Sequence, residues 1–524
     1  MSNFSQGDTA WMLASSALVL LMVPGLALFY GGMVRAKNVL STMMHSMVAL
    51  AIIGVEWVVV GYALAFGDDV GGYGLIGWDP KLVLLSGFGP DALWPDTGIP
   101  LYVHAMFQGM FAVITPALIS GALAERIRFS RYCAFVAVWG LLVYAPLCHW
   151  VWHGEGWLFE LGALDFAGGT VVHIAAGISA LVAALMIRPR IGYPERPIRP
   201  SSAANTLFGA GLLWFGWFGF NGGSALGAST SAALAFTVTH VAAAAGALAW
   251  IAVEWRVHGK PTAIGFASGA VAGLVGITPA AGFVSPASAL IIGGLCGGLC
   301  NYAVSIKSRL GYDDSLDAFG IHGVGGAIGA VLTGVLASKA LYDPAADGGW
   351  LIDGNLDQVG VQVVGIVATV AFAAPMTWLI VKFIGAGNAF VVGARQEEDG
   401  LDEVEHGERA YDLHPDVVTA MSAEPRAAAA PPTVVTHTLA LSGLAPAQIA
   451  ARWSSLCASN TPPGSFIAVY PAIARVSGRR FRVVDADAEF ARKHLSALFD
   501  GAEITIEDSV AYTSPRLADA KNAA

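Results

Sequence analysis

Two histidines stand inside glycine-rich apolar stretches, each preceded by an aspartate: Asp165-Phe-Ala-Gly-Gly-Thr-Val-Val-His173 and Asp317-Ala-Phe-Gly-Ile-His322. Both stretches are long enough to lie within a bilayer, where an ionisable side chain is costly and marks a substrate, ion or proton path. A neutral imidazole has one donor and one acceptor. Two of them side by side could share a proton and leave an acceptor for a passing N–H donor. The segments lie about 150 residues apart, one in each half of the apolar region, and read as an internal repeat meeting at a shared polar pathway. Asp165 precedes a helix start at 167–170, where a carboxylate can cap free amides, so its reading from the residues alone is structural.

The other side chains that could meet a small cation, or the neutral molecule it leaves on losing a proton, are aromatic, because a ring face attracts positive charge. Phe107 and Phe111 share one apolar segment, Trp152 stands at an outer helix end, and Trp214, Trp217 and Phe220 lie on a third segment. Ser224, one turn beyond Phe220, adds a hydroxyl acceptor. Taken singly, each aromatic reads as packing or as an interfacial belt residue; together with two histidines they point to a site. A metalloenzyme using His173 and His322 has little support, since no further His, Cys or carboxylate cluster stands at helical spacing beside either one. No metal or other cofactor is expected. Cys133, Cys148, Cys296, Cys300 and Cys457 form no zinc-ligand pattern, and the pair at 296 and 300 reads as small packing residues.

The elements that must position these residues are membrane helices. The chain of 524 residues is 55% hydrophobic and 13% charged, whereas a soluble domain is about 25% charged. Windows of about 20 apolar residues give eleven spans, at 10–32, 43–66, 101–124, 132–152, 171–187, 206–227, 232–254, 262–280, 285–306, 318–341 and 359–385. The 63 glycines recur in small-xxx-small patterns such as Gly325-Gly326 and Gly329, which suit close helix contacts in lipid. Arg35 and Lys37, Arg126, Arg128 and Arg131, Arg188 and Arg190, Arg256 and Lys260, and Lys307 and Arg309 fall in alternate loops on one side. Counting these cations places the N-terminus outside and the C-terminus in the cytoplasm. With no positive charge before the first apolar stretch, that stretch reads as a span rather than a cleaved signal. The formal net charge of −10 argues against a nucleic-acid partner.

Composition changes after Phe383. Residues 386–415 form a polar, acidic cytoplasmic tail, 416–432 an Ala/Pro-rich linker, and 433–524 a soluble domain of unknown role. Within it, strand-like runs at 434–441, 466–476, 481–484 and 504–510 alternate with helical ones at 446–457 and 489–499. That β-α-β-β-α-β order predicts a ferredoxin-like fold. The fold class expected is therefore an all-α polytopic membrane protein of eleven transmembrane helices, with an inverted repeat of helices 1–5 and 6–10, plus a small α/β ferredoxin-like C-terminal domain.

The segment from Asp165 to His173 resembles the ammonium transporter signature of the Amt/Mep/Rh family. Gly140 to Trp152, Leu212-Leu-Trp-Phe-Gly-Trp-Phe-Gly-Phe-Asn-Gly-Gly-Ser224 and Asp313-Asp-Ser-Leu-Asp-Ala-Phe-Gly-Ile-His-Gly323 extend the resemblance. It runs from about Thr9 to Tyr411 and is closer to the bacterial Amt branch than to Rh. The resemblance implies Phe111, Trp152 and Ser224 as an outer ammonium recruitment site, and Phe111 and Phe220, with Phe107 beside them, as a phenyl gate. It implies Trp217 as a pore-lining residue, His173 and His322 as the paired pore histidines, and Asp165 as a transport-essential aspartate. Ammonium would arrive as a cation and lose its proton, and ammonia and the proton would cross by separate routes. The resemblance further implies a homotrimer in the cell inner membrane with one pore per subunit. Residues 398–402 and 406–411 resemble the family's subunit-coupling tail, and a PII-type signal protein is the candidate partner of that cytoplasmic face. An ammonium sensor signalling through the C-terminal domain is the alternative; retention of every pore position favours transport.

Overall fold

In a computed structural model the described residues are 4–195, 198–344, 348–385 and 390–411, together with the strands and a few residues of 433–513. The chain divides into two compact units, Met1–Asp412 and Leu413–Ala524.

The first unit is helical. Among the described residues nine helices are long and apolar enough to cross a membrane: Gln6–Met33, Ala36–Phe66, Leu101–Leu123, Phe129–Glu160, Gly169–Met186, Thr230–His258, Pro286–Leu310, Phe319–Leu336 and Asp357–Ile384. The chain is a multi-pass membrane protein. Two of the expected spans, 206–227 and 262–280, differ from the rest. They correspond to Ala203–Gly223, where repeated glycines dilute the apolar run, and to the 15-residue Ala263–Ile277. Helix starts carry hydroxyl caps: Ser5, Ser202, Ser229, Thr262 and Ser285 each accept from a backbone amide three residues on, which satisfies one of the free donors of a first turn.

Four of the spans contain a widened π-turn, at Trp57–Gly61, Gly140–Tyr144, Gly169–Ile174 and Phe319–Gly323. Such turns insert one residue and redirect the side chains around them. The last two carry His173 and His322. Their helices meet at glycines: a Cβ on Gly177 would lie 2.2 Å from the Gly323 nitrogen, and one on Gly326 3.0 Å from the Gly169 carbonyl. Only hydrogen at these positions lets the two backbones come close enough for the imidazoles to touch.

Beyond the last span, residues 390–411 fold back onto the bundle through buried charges. Glu125 takes Arg35 at 2.9 Å and Arg190 at 3.1 Å, and Asp313 takes Arg126 at 2.9 Å and Arg190 at 2.7 Å. Glu397 joins this network through Arg188 at 2.5 Å. Asp402 accepts from Ser41 N at 2.8 Å and Glu405 from Phe129 N at 3.0 Å, so two tail carboxylates cap the N-termini of Val39–Glu56 and Phe129–Trp139.

The second unit contains β1 (Thr433–Ser442), β2 (Ile473–Ser477), β3 (Arg480–Val484) and β4 (Glu503–Thr513) in one sheet of order β2-β3-β1-β4. All neighbours are antiparallel, with His437 opposite Val483 on one side and Ser509 on the other. The linker expected at 416–432, the run 466–472, the helix expected at 489–499 and most of that at 446–457 lie outside the described residues.

Candidate functional site

The end of Ala145–Trp152 brings Trp152 beside the loop that begins the first histidine segment, where its indole Nε1 donates to the Asp165 carbonyl at 3.0 Å. The ring stands edge-on to Phe111, with centroids 5.6 Å apart at 88°. Phe111 packs on Phe107 at 5.0 Å and on Phe220 at 4.2 Å. Phe107, Phe111 and Phe220 are buried. Ser224 is partly exposed; its hydroxyl donates to the Phe220 carbonyl at 2.8 Å, which leaves its lone pairs as acceptors.

The histidine pair follows on from the phenyl rings. His173 lies 6.1 Å from Phe220 and 5.5 Å from Trp217, and the Trp217 indole is fixed by donating to Thr278 Oγ1 at 2.9 Å. His173 and His322 stack at 5.2 Å and 22°, with their Nδ1 atoms 3.3 Å apart. One hydrogen between two Nδ1 atoms makes one ring the donor and the other the acceptor. If both rings are neutral, the donor ring keeps an acceptor at Nε2 and the other ring a donor there. His173 Nε2 is buried and has no hydrogen-bond partner among the described residues. The cavity here is otherwise walled by Leu26, Phe29, Ile114, Leu118 and Val271, with both histidines on its surface. An apolar passage with an imidazole acceptor can pass a small neutral N–H donor; a cation that cannot shed a proton meets the desolvation cost in full.

Asp165 is committed to the backbone. Oδ1 accepts from Gly168 N at 2.8 Å and Gly169 N at 2.6 Å, and Oδ2 from Thr170 N at 2.8 Å and Val171 N at 3.2 Å. It closes the turn in which Gly168 has φ +110° and sets the first π-turn in place.

The aspartate expected to match it in the second half is Asp317, and here the structure differs. Asp317 pairs with Lys307. Asp314 instead accepts from Ala318 N at 3.1 Å and Phe319 N at 2.8 Å, the fourth and fifth residues on, as Asp165 does with Gly169 and Thr170. Asp314 stands eight residues before His322, as Asp165 stands eight before His173. Counting back from the histidines rather than taking the nearest aspartate would have found it. Thr278 was also missed, and no sequence signal marks it. Trp214 is not brought to the pore line; it packs on His240 at 5.4 Å, and His240 is exposed on the surface of the unit.

A bundle of apolar helices, enclosing a row of aromatic rings that leads to paired imidazoles, defines a membrane transporter class. Residues 10–411 match the sequence model described as Ammonium Transporter Family. The chain is 47% identical over 406 residues to an ammonium transporter of Bacillus subtilis (strain 168), covering 77% of this chain and 98% of that one. It is 49% identical over 418 residues to an ammonium transporter of Aquifex aeolicus (strain VF5), covering 79% and 95%. Among solved structures it is similar to Saccharomyces cerevisiae Mep2, with TM-score 0.69 and 38% identity over 75% of this chain and 89% of that one. It is also similar to a structure titled Sensor Amt Protein, with TM-score 0.70 and 31% identity over 76% and 98%. The chain belongs to the ammonium transporter family.

Proposed function

We propose that the protein carries ammonium and ammonia across the membrane through a pore in each subunit, with the adjoining histidines as the conducting element. The observation that carries this reading is the 3.3 Å approach of His173 and His322 beside Phe220. Trp152, Phe111 and Ser224 recruit the cation; Phe107, Phe111 and Phe220 exclude water and hydrated ions; Trp217 lines the path. Deprotonation before the phenyl rings lets ammonia enter the apolar stretch, and potassium, which has no proton to give up, is refused. Asp165 is transport-essential because it holds the turn from which His173 projects.

The span count is read as eleven by adding Ala203–Gly223 and Ala263–Ile277 to the nine longer spans, arranged as an inverted repeat. The matching bonds of Asp165 and Asp314 support that repeat. The cation-rich loops support an N-terminus outside and a C-terminus in the cytoplasm, and family membership supports placement in the inner membrane. Family membership supports a homotrimer and a PII-type partner for the tail. The strand order β2-β3-β1-β4 supports a ferredoxin-like reading of the 433–524 domain.

An ammonium pulse on reconstituted vesicles tests the function: ammonium-dependent charge movement or alkalinisation is expected, with no response to potassium. Saturable ammonium binding without flux would instead establish the sensor reading, in which the C-terminal domain reports occupancy.

A further inference from the structure

Near its start the last span, Asp357–Ile384, carries two glutamines one turn apart, Gln358 and Gln362, both buried. A carboxamide has two N–H donors and two acceptor lone pairs to satisfy, and Gln362 satisfies all four. Its Nε2 donates to the Leu164 carbonyl at 2.7 Å and to the Ala330 carbonyl at 3.2 Å. Its Oε1 accepts from Leu164 N at 2.7 Å and from Gln358 Nε2 at 3.4 Å. Carbonyls only accept and a backbone N–H only donates, so these partners fix which way the amide faces.

The two backbones it holds belong to different halves of the site. Leu164 immediately precedes Asp165, whose carbonyl takes the Trp152 indole and whose carboxylate closes the turn of His173. On the other side of Asp165, Phe166 N donates to the Pro279 carbonyl at 3.1 Å, so the segment is held at both flanks. Ala330 follows His322 by eight residues within the span Phe319–Leu336. That span meets the last one at Gly334, where a Cβ would lie 2.9 Å from Val359 Cα and 3.0 Å from Gln362 Cγ. The missing side chain brings Gln362 within reach of both backbones.

We propose that Gln362 is a positioning residue that sets the two histidine segments against each other, by tying the residue before Asp165 to the helix of His322. It acts through the Leu164 and Ala330 backbones, and the proposal rests on the reading of His173 and His322 as the conducting pair. Without the carboxamide, the Leu164 N–H and two carbonyls lose a partner out of water. The segment that carries both the Trp152 contact and the His173 turn then shifts relative to His322.

The test compares the full chain, reconstituted, as wild type, Gln362→Met, Gln362→Asn and Thr369→Val. Two quantities are read: ammonium current per folded transporter, and hydrogen exchange in peptides spanning 162–171. Gln362→Met keeps an unbranched apolar side chain and removes every bond. Its current should fall about tenfold or more, since misplacing a site by about 1 Å costs on the order of a hundredfold. The amides of 168–171 should exchange faster although their partner Asp165 is intact. Gln362→Asn keeps the carboxamide one carbon short, too short to span both backbones, so it should shift both readouts in the same direction by less; it decides the matter if Gln362→Met does not fold. Thr369→Val removes a buried hydroxyl of the same span that bonds only the Gly365 carbonyl of its own helix, and should change neither readout. Gln362 variants that lose thermal stability but keep wild-type current and exchange when folded overturn the proposal, as does an equal effect in Thr369→Val. If wild type gives no ammonium current, the transport reading fails, and the exchange data alone decide: faster exchange at 168–171 in the Gln362 variants upholds the positioning role, and wild-type protection overturns it.

Discussion

At the scale of single residues, the site divides into groups whose side chains are free to meet a substrate and groups already committed. Trp152 offers a ring face, since its N–H is used by the Asp165 carbonyl. A cation–π contact is worth about 0.5–2 kcal/mol, so Trp152→Leu should weaken apparent ammonium affinity by roughly three- to thirtyfold, with a smaller effect at saturating ammonium. Affinity equal to wild type would remove Trp152 from recruitment. The residues of the row were legible because aromatic and ionisable types stand out in apolar segments. Asp314 was not, because the nearer Asp317 masked the eight-residue spacing that both halves share. Thr278 was not because a threonine in a membrane helix most often bonds its own backbone, and only the fold shows the Trp217 indole bonded to it.

At the scale of elements, the apolar runs marked most helices to within a few residues, since burial in lipid requires about 20 apolar residues in a row. The π-turns were invisible: inserting one residue changes register without changing hydropathy. Two glycine contacts depend on them. Gly177→Ala would place a methyl group 2.2 Å from the Gly323 nitrogen, an overpacking that costs about 1–3 kcal/mol. It should lower the thermal midpoint in detergent and reduce flux, whereas Gly298→Ala, with open space around it, should do neither. Equal midpoints for the two variants would show that the crossing tolerates separation.

The buried charge network beneath the tail adds a pH dependence of its own. Burial pushes the Glu125 carboxyl up, but Arg35 and Arg190 outweigh it and hold it below its ordinary value. Asp313 is likewise pushed up by burial and held low by Arg190 and Arg126. A carboxylate depressed in the folded state stabilises it fully above the unfolded pKa, and that contribution is lost as pH falls through the folded value. The contribution of these two carboxylates to the folded bundle should therefore be level from neutral pH down to about pH 4, near the unfolded carboxylate pKa, and be lost below it. The thermal midpoint in detergent across that range, compared with Glu125→Gln, checks this; a wild-type midpoint that rises relative to the variant as pH falls below about 4 would contradict the sign.

At the scale of the whole molecule, the family match ends at residue 411, and a further compact unit, Leu413–Ala524, follows. The composition change after Phe383 led to the expectation of an appended domain, and the runs at 434–441, 481–484 and 504–510 fall on β1, β3 and β4; its role was not legible, because no motif in it specifies a ligand. The contacts described above for 390–411 all lie within the first unit, so truncation after Pro415 should leave a folded transporter with altered regulation. Flux equal to the full chain in both nitrogen-rich and nitrogen-poor cells would show that the domain does not regulate transport, and loss of assembly would show that it is structural.

The central claim is that His173 and His322 conduct as a pair, and the most direct measurement is the current evoked by ammonium and by potassium in vesicles carrying wild type, His173→Ala or His322→Ala. The account predicts an ammonium current and no potassium current for wild type, and in each variant either a reduced ammonium current or the appearance of a potassium current. Wild-type current and selectivity in both variants would contradict it and leave the two imidazoles as packing.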